Sequence, residues 1–205
     1  MITTEEAIER ARRLATGGRR ALLGITGPPG GGKSTLARAV ADELSGSAVL
    51  VGMDGFHLAQ AELVRLGRRD RMGAVDTFDA AGYVALLRRL RDNAEDVVYA
   101  PEFRREIEEP INAAVAVPRD VPLVITEGNY LLVDQGPWAQ VRDLLDECWY
   151  VMQEEETRLR LLIARHVAFG KEPGFARDWV MRSDQRNAEL VATTRSRADA
   201  LIRIG

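Results

Sequence analysis

The residues best suited to chemistry lie in the run "GITGPPGGGKST" at positions 24–35. Gly27 to Ser34 fits the spacing G-x-x-x-x-G-K-[ST], with an apolar β-rich run before it and a helical pattern after it. Gly27, Gly30, Gly31 and Gly32 let successive backbone N–H groups turn inward, so that an anion can come close. The helix that follows directs the positive end of its dipole at that anion. Lys33 has the reach to bind the outer phosphates of a nucleoside triphosphate, and the Ser34 hydroxyl is suited to ligating Mg²⁺. Thr35 adds a hydroxyl near the innermost phosphate. The sequence has no N-K-x-D element, the usual mark of guanine recognition, so ATP is the expected nucleotide.

Carboxylates decide what becomes of the outer phosphate. In "VGMDGFHL", Asp54 falls at the carboxyl end of an apolar run, where ligands bind in open α/β sheets. There it is suited to take the proton of an attacking hydroxyl. Gly55 allows a sharp turn or a close approach of substrate, and Phe56 and His57 are placed to wall a substrate site. An ordinary Asp-Gly turn and a satisfied core histidine are the plain alternatives. Glu127 ends the run "VPLVITE" and is the expected acidic partner of Mg²⁺. In "EEETRLRLLIARHVAFGK", Arg158 and Arg165 are seven residues apart and share one helix face, from which they could close over a transferring phosphate.

These groups need a scaffold that brings strand ends together. Residues 21–26, 48–53, 96–100, 121–127, 148–152 and 201–204 read as strands, nearly continuous in apolar character as in a parallel sheet covered on both faces. Helical patterns fill 3–16, 33–45, 78–92, 137–146, 155–169 and 174–191. Thr3 and Glu6 have capping-box spacing, and Val84, Leu87 and Leu90 form one apolar face. The alternation predicts an α/β fold: an open, mainly parallel sheet with helices on both faces and a small helical lid at about 155–175, all in one domain over 1–205.

Composition narrows the function classes. A net charge of −3 argues against a nucleic-acid partner. No apolar run is long enough for a membrane span, and the acidic start "MITTEEAIER" does not read as a signal peptide, so a cytoplasmic protein is expected. One cysteine, Cys148, and two histidines are too few for a metal-delivery chaperone. A nucleotide-hydrolysing switch or a regulatory ATP-binding protein remains the alternative to a phosphotransferase. A homodimer is left open.

Taken in order, "GITGPPGGGKST", "MDGFHL", "RMGAVDTFD", "VYAPEFRRE", "VITEGNYLL" and "RLRLLIARHVAFGK" resemble the uridine kinase, phosphoribulokinase and pantothenate kinase group over about residues 20–190, and most of all its bacterial nucleoside-kinase-like and fructose-transport-kinase branch. The resemblance implies an ATP- and Mg²⁺-dependent kinase acting on a hydroxyl of a small molecule: a nucleoside, a pantothenate-like acid or a sugar. It implies Asp54 as catalytic base, Lys33 and Ser34 as phosphate and Mg²⁺ ligands, Glu127 as the second metal residue and Arg165 as the lid arginine. Leu161 and Leu162 stand where uridine kinases have a pair of arginines, which implies a lid with fewer charges. The region around Tyr99 carries a tyrosine and a histidine in uridine kinases. Here Tyr99 is present, and Arg104 or Arg105 takes the histidine's place, which implies an anionic or polyhydroxylated acceptor.

Overall fold

The computed structural model describes residues 1–204. Five strands form one parallel sheet: β1 (Ala21–Thr26), β2 (Ala48–Gly52), β5 (Leu123–Glu127), β6 (Glu147–Met152) and β7 (Ala200–Arg203), in the order β2-β5-β1-β6-β7. Alternating residues of the central strand serve two cores. Leu22 packs with Val124 and Cys148 on one face, and Leu23 and Ile25 pack with Leu123, Ile125 and Trp149 on the other. This alternation explains why the strands read as unbroken apolar runs: both faces are buried, so neither position tolerates a charge.

Helices α1 (Thr4–Ala15) and α2 (Lys33–Glu43) cover the second face through Ala7, Ala11, Leu36 and Val40. The Thr3 hydroxyl accepts from the Glu6 amide and the Glu6 carboxylate accepts from the Thr3 amide, the reciprocal cap expected from the spacing. On the first face lies α4 (Ala80–Asp92), which buries Tyr83, Val84, Leu87 and Leu90. Asp79 caps its start, and Asn93 ends it in the left-handed conformation at φ 49°.

One expected sheet strand lies elsewhere. Residues 96–100 belong to β3 (Val97–Arg104), which pairs antiparallel with β4 (Glu109–Pro118) in a separate hairpin. Val98 and Ala100 face inward and Tyr99 outward, the alternation of a sheet with one solvated face. The hairpin leans on the 3₁₀ turn Met53–Phe56, where a Cβ on Gly55 would meet the Pro101 carbonyl oxygen at 2.4 Å. Gly55 therefore serves the packing of the hairpin. The short helix α3 (Gln60–Arg65), also unforeseen, follows that turn.

The C-terminal helices are α5 (Val141–Leu144), α6 (Glu155–Ala168), α7 (Pro173–Trp179) and α8 (Gln185–Thr193). A π-turn over Val180–Asp184 joins the last two, where one continuous helix was expected. No helix among the described residues is long and apolar enough to cross a membrane.

Candidate active site

Register brings the reactive residues to one edge. Glu127 at the end of β5 is level with Ile25 of β1 on one side and Gly52 of β2 on the other. The phosphate loop leaves β1, and Asp54 follows β2 by two residues, so both converge on Glu127. Gly32 holds φ 87° at the mouth of α2, a conformation that turns the loop into the helix and disfavours any side chain.

In the loop the Lys33 ammonium donates to the Pro28 carbonyl at 2.9 Å, and the Ser34 hydroxyl donates to Glu127 Oε1 at 3.0 Å. Burial lowers the Lys33 pKa to about 8; the Arg165 and Arg158 charges lower it too, against the pull of Glu127 and Asp54. Burial raises the Glu127 carboxyl, the Asp54 charge adds to this, and Lys33 with the Ser34 bond only partly offsets it. For Asp54, burial acts upward but is outweighed by His57, Arg105, Lys33 and Arg165, which hold it below the ordinary aspartate value. Two carboxylates in one cleft are thus driven in opposite directions.

These groups line a cleft of about 390 Å³, a size suited to a small ligand. Across from the phosphate loop, Arg105 donates to Asp54 Oδ2 at 3.0 Å, and the His57 ring packs against Phe78 and Phe103, with centroids at 4.0 and 4.7 Å. Helix α6 brings Arg165 and His166 to the cleft, and His166 Nε2 bonds Asp184 of the π-turn at 2.8 Å. Lys171 and Arg182 sit over the Trp179 ring at 5.5 and 5.9 Å, and Lys171 is 3.9 Å from Glu108 of the hairpin.

Comparison with known proteins fits this geometry. A model of the "ATPase family associated with various cellular activities (AAA)" matches residues 23–125. A Schizosaccharomyces pombe protein named "Putative uridine kinase" is 33% identical over 175 residues, 81% of this chain and 74% of its own. The uridine kinase of Listeria monocytogenes serotype 4a is 27% identical over 191 residues, 88% of this chain and 85% of its own. A Silicibacter crystal structure described as a "putative fructose transport system kinase" superposes with a TM-score of 0.87 at 29% identity, covering 98% of this chain and 99% of that one. The chain belongs to the uridine kinase-like P-loop kinases. It is an ATP-dependent phosphotransferase acting on a small molecule.

Within this kinase, Lys33, Ser34, Asp54, His57, Glu127 and Arg165 share the cleft. Gly27, Gly30, Gly31 and Gly32 form the loop, while Thr35 is solvent-exposed beside it. Three residues expected at the acceptor lie outside the cleft. Tyr99 and Arg104 are on the outward face of β3, where Tyr99 is 55% exposed and Arg104 pairs with Glu102 at 2.8 Å. Strand alternation puts Phe103 inward instead, and Arg105, just past the strand end, is the arginine that reaches Asp54. Phe56 packs edge-on against Tyr83 at 5.2 Å, as part of the core.

Arg158 also departs from expectation. It is 1% exposed and does not face the cleft. Its guanidinium bonds Glu155 at 2.8 and 2.6 Å, Gln185 at 2.6 Å and the Pro29 carbonyl at 2.9 Å, tying α6 and α8 to the phosphate loop. Lys171, Trp179, Asp184 and Arg69 were not foreseen at the cleft. Lys171 was findable in principle, since it is one of the chain's two lysines.

Proposed function

We propose that this kinase transfers the γ-phosphate of ATP to an alcohol bound between Asp54 and the phosphate loop. One observation carries the reading: Asp54, held below the ordinary aspartate value, shares a cleft with Lys33, Ser34 and Glu127. Asp54 would accept the alcohol's proton as the oxygen attacks. Lys33, released from the Pro28 carbonyl, and Arg165 would meet the charge on the moving phosphoryl group. Ser34 and Glu127 would hold Mg²⁺, which supplies charge neutralisation on the phosphates. Their 3.0 Å bond already sets a hydroxyl and a carboxylate side by side, a donor set suited to a cation that keeps phosphate and water ligands. The protein forms no covalent intermediate in this scheme, so positioning and electrostatics carry the rate.

In this reading α6 and α7, over about 155–175, act as a lid. The same proposal includes a cytoplasmic setting and no nucleic-acid or membrane partner. The decisive experiment is ADP release from ATP and Mg²⁺ across a panel of nucleosides, pantothenate and sugars. Acceptor-stimulated release supports the reading, and a rate indifferent to every acceptor ends it. Asp54→Asn is expected to keep ATP binding and lose transfer by on the order of 10²–10⁴-fold. Parent-like turnover in that variant would remove Asp54 from the mechanism.

A further inference from the structure

Resting on the reading that the phosphate loop holds the ATP phosphates, we propose that Arg158 is a positioning residue for that loop: its bond to the Pro29 carbonyl fixes the Pro29–Gly30 peptide so that the Gly30 N–H is presented to the nucleotide. The plain alternative is a staple between helices. Arg158 Nε and Nη2 hold Glu155 at 2.8 and 2.6 Å, and Nη2 also reaches Gln185 of α8 at 2.6 Å. Those bonds would suffice for a staple. The bond from Nη1 does something else: it spans 129 positions of the chain to the Pro29 carbonyl oxygen at 2.9 Å.

Its effect follows from peptide geometry. The described residues contain no cis peptide bond. In a trans unit the carbonyl oxygen and the following N–H point in opposite directions. Drawing the Pro29 oxygen onto Arg158 therefore turns the Gly30 N–H away from α6. No described residue accepts a hydrogen bond from that N–H.

The neighbouring residues make this one amide matter. Pro28 and Pro29 have no N–H, so Gly30 is the first donor the loop offers after Gly27. The Gly31 N–H is spent on the Pro28 carbonyl at 2.9 Å, where the Lys33 ammonium also binds. The loop is seated closely as well: a Cβ on Gly30 would meet the Arg158 carbonyl oxygen and Leu162 Cβ at 3.0 Å each. A neutral donor on α6 could hold the Pro29 oxygen alone. The guanidinium fork holds it together with α6 and α8, and the Glu155 carboxylate offsets the burial of a residue only 1% exposed. The loop's donor geometry is thus tied to the docking of both helices.

The test measures ATP and ADP dissociation constants on the full chain with Mg²⁺, and it needs no acceptor. Arg158→Lys keeps a charge beside Glu155, but one ammonium cannot hold carboxylate, amide and carbonyl together. It is expected to weaken ATP binding by about 10- to 100-fold, the scale of one hydrogen bond to a charged group, with acceptor KM within about twofold of the parent. Gln185→Ala is the control for a staple. It loosens α8 and lowers the thermal midpoint but leaves the Pro29 bond, so ATP affinity should stay within about threefold. Loss of ATP affinity in step with the thermal midpoint in both variants overturns the inference, as does parent-like ATP binding by Arg158→Lys.

The parent protein supplies a readout that stands even where Arg158→Lys fails to fold. With its glycines labelled with ¹⁵N, the Gly30 amide resonance should shift on addition of ADP and Mg²⁺. Gln185→Ala should keep that shift, and Arg158→Lys should diminish it. A Gly30 resonance indifferent to ADP overturns the inference and leaves nucleotide binding standing. A parent protein that binds neither ATP nor ADP overturns the phosphate-loop reading and this inference together.

Discussion

The two walls of the cleft are built differently. The phosphate wall hangs from the central sheet: Lys33 and Ser34 open a helix directly after β1, and Glu127 ends the adjacent strand. Its geometry is set by backbone hydrogen bonds between buried strands. The acceptor wall is assembled from a hairpin outside that sheet, the turn at Asp54 and the helices from α6 onward. It is joined by side-chain contacts such as Arg105–Asp54, Lys171–Glu108 and Arg69–Glu108. These pairs are partly exposed, and such pairs hold weakly. On the proposed reading, one wall is pre-formed for the nucleotide, while the other can be retuned by a few side chains.

Substitutions can break or sharpen this contrast. After Asp54→Asn, the largest effect is expected on the rigid wall. Lys33→Met should lower kcat by about 10²–10³-fold, the scale of losing one transition-state charge contact. It should also raise the thermal midpoint of the nucleotide-free protein at pH 7 by on the order of a few degrees. The sign follows from linkage. A lysine lowered to about 8 binds fewer protons folded than unfolded between pH 8 and its ordinary value of 10.5, so stability climbs with pH across that window. Below pH 8 the full penalty for burying the charge is present, and methionine removes it. A scan showing no rise, with nucleotide still stabilising the variant, would mean that the lysine is neither strained nor needed.

Arg105→Ala probes the adaptable wall. It should lower kcat/KM for the acceptor by about 10- to 100-fold through loss of the bond to Asp54, with KM for ATP little changed. An equal effect on both substrates would show that the walls are not separable. Gly55→Ala tests the joint between the hairpin and the turn: the contact with Pro101 should cost about 1–3 kcal/mol, read as a lower denaturation midpoint. At the small end, Tyr99→Ala and Arg104→Ala should change stability by no more than about 0.5 kcal/mol and leave acceptor KM within about twofold. A larger shift in KM would put the outward face of β3 back in the substrate's path.

The same contrast governs what the sequence reveals. The phosphate wall was legible because its chemistry is local: glycines, lysine and serine are contiguous, and the carboxylates sit at the ends of apolar runs that alternate between two cores. The hairpin was not. β4 reads "EPINAAVAVP", too poor in large β-formers to announce a strand, and the apolar part of β3 imitates a sheet strand until Pro101. Choosing between Arg104 and Arg105 requires the strand's end, which alternation alone does not fix. Arg158 and Arg165 share a helix face, yet their positions along α6 send one under the phosphate loop and the other to the cleft. Spacing gives the face of a helix but not the height of what it meets.

Trp179 gives this architecture an optical gauge. Of the chain's three tryptophans, Trp138 and Trp149 lie in the cores on either side of the sheet, while Trp179 lines the cleft beneath two cationic side chains. Indole emission responds to nearby charge, so a ligand that draws Lys171 off the ring should change the protein's intrinsic fluorescence. Acceptor arrival can thus be timed in a stopped-flow mixer without a label, and in the absence of turnover.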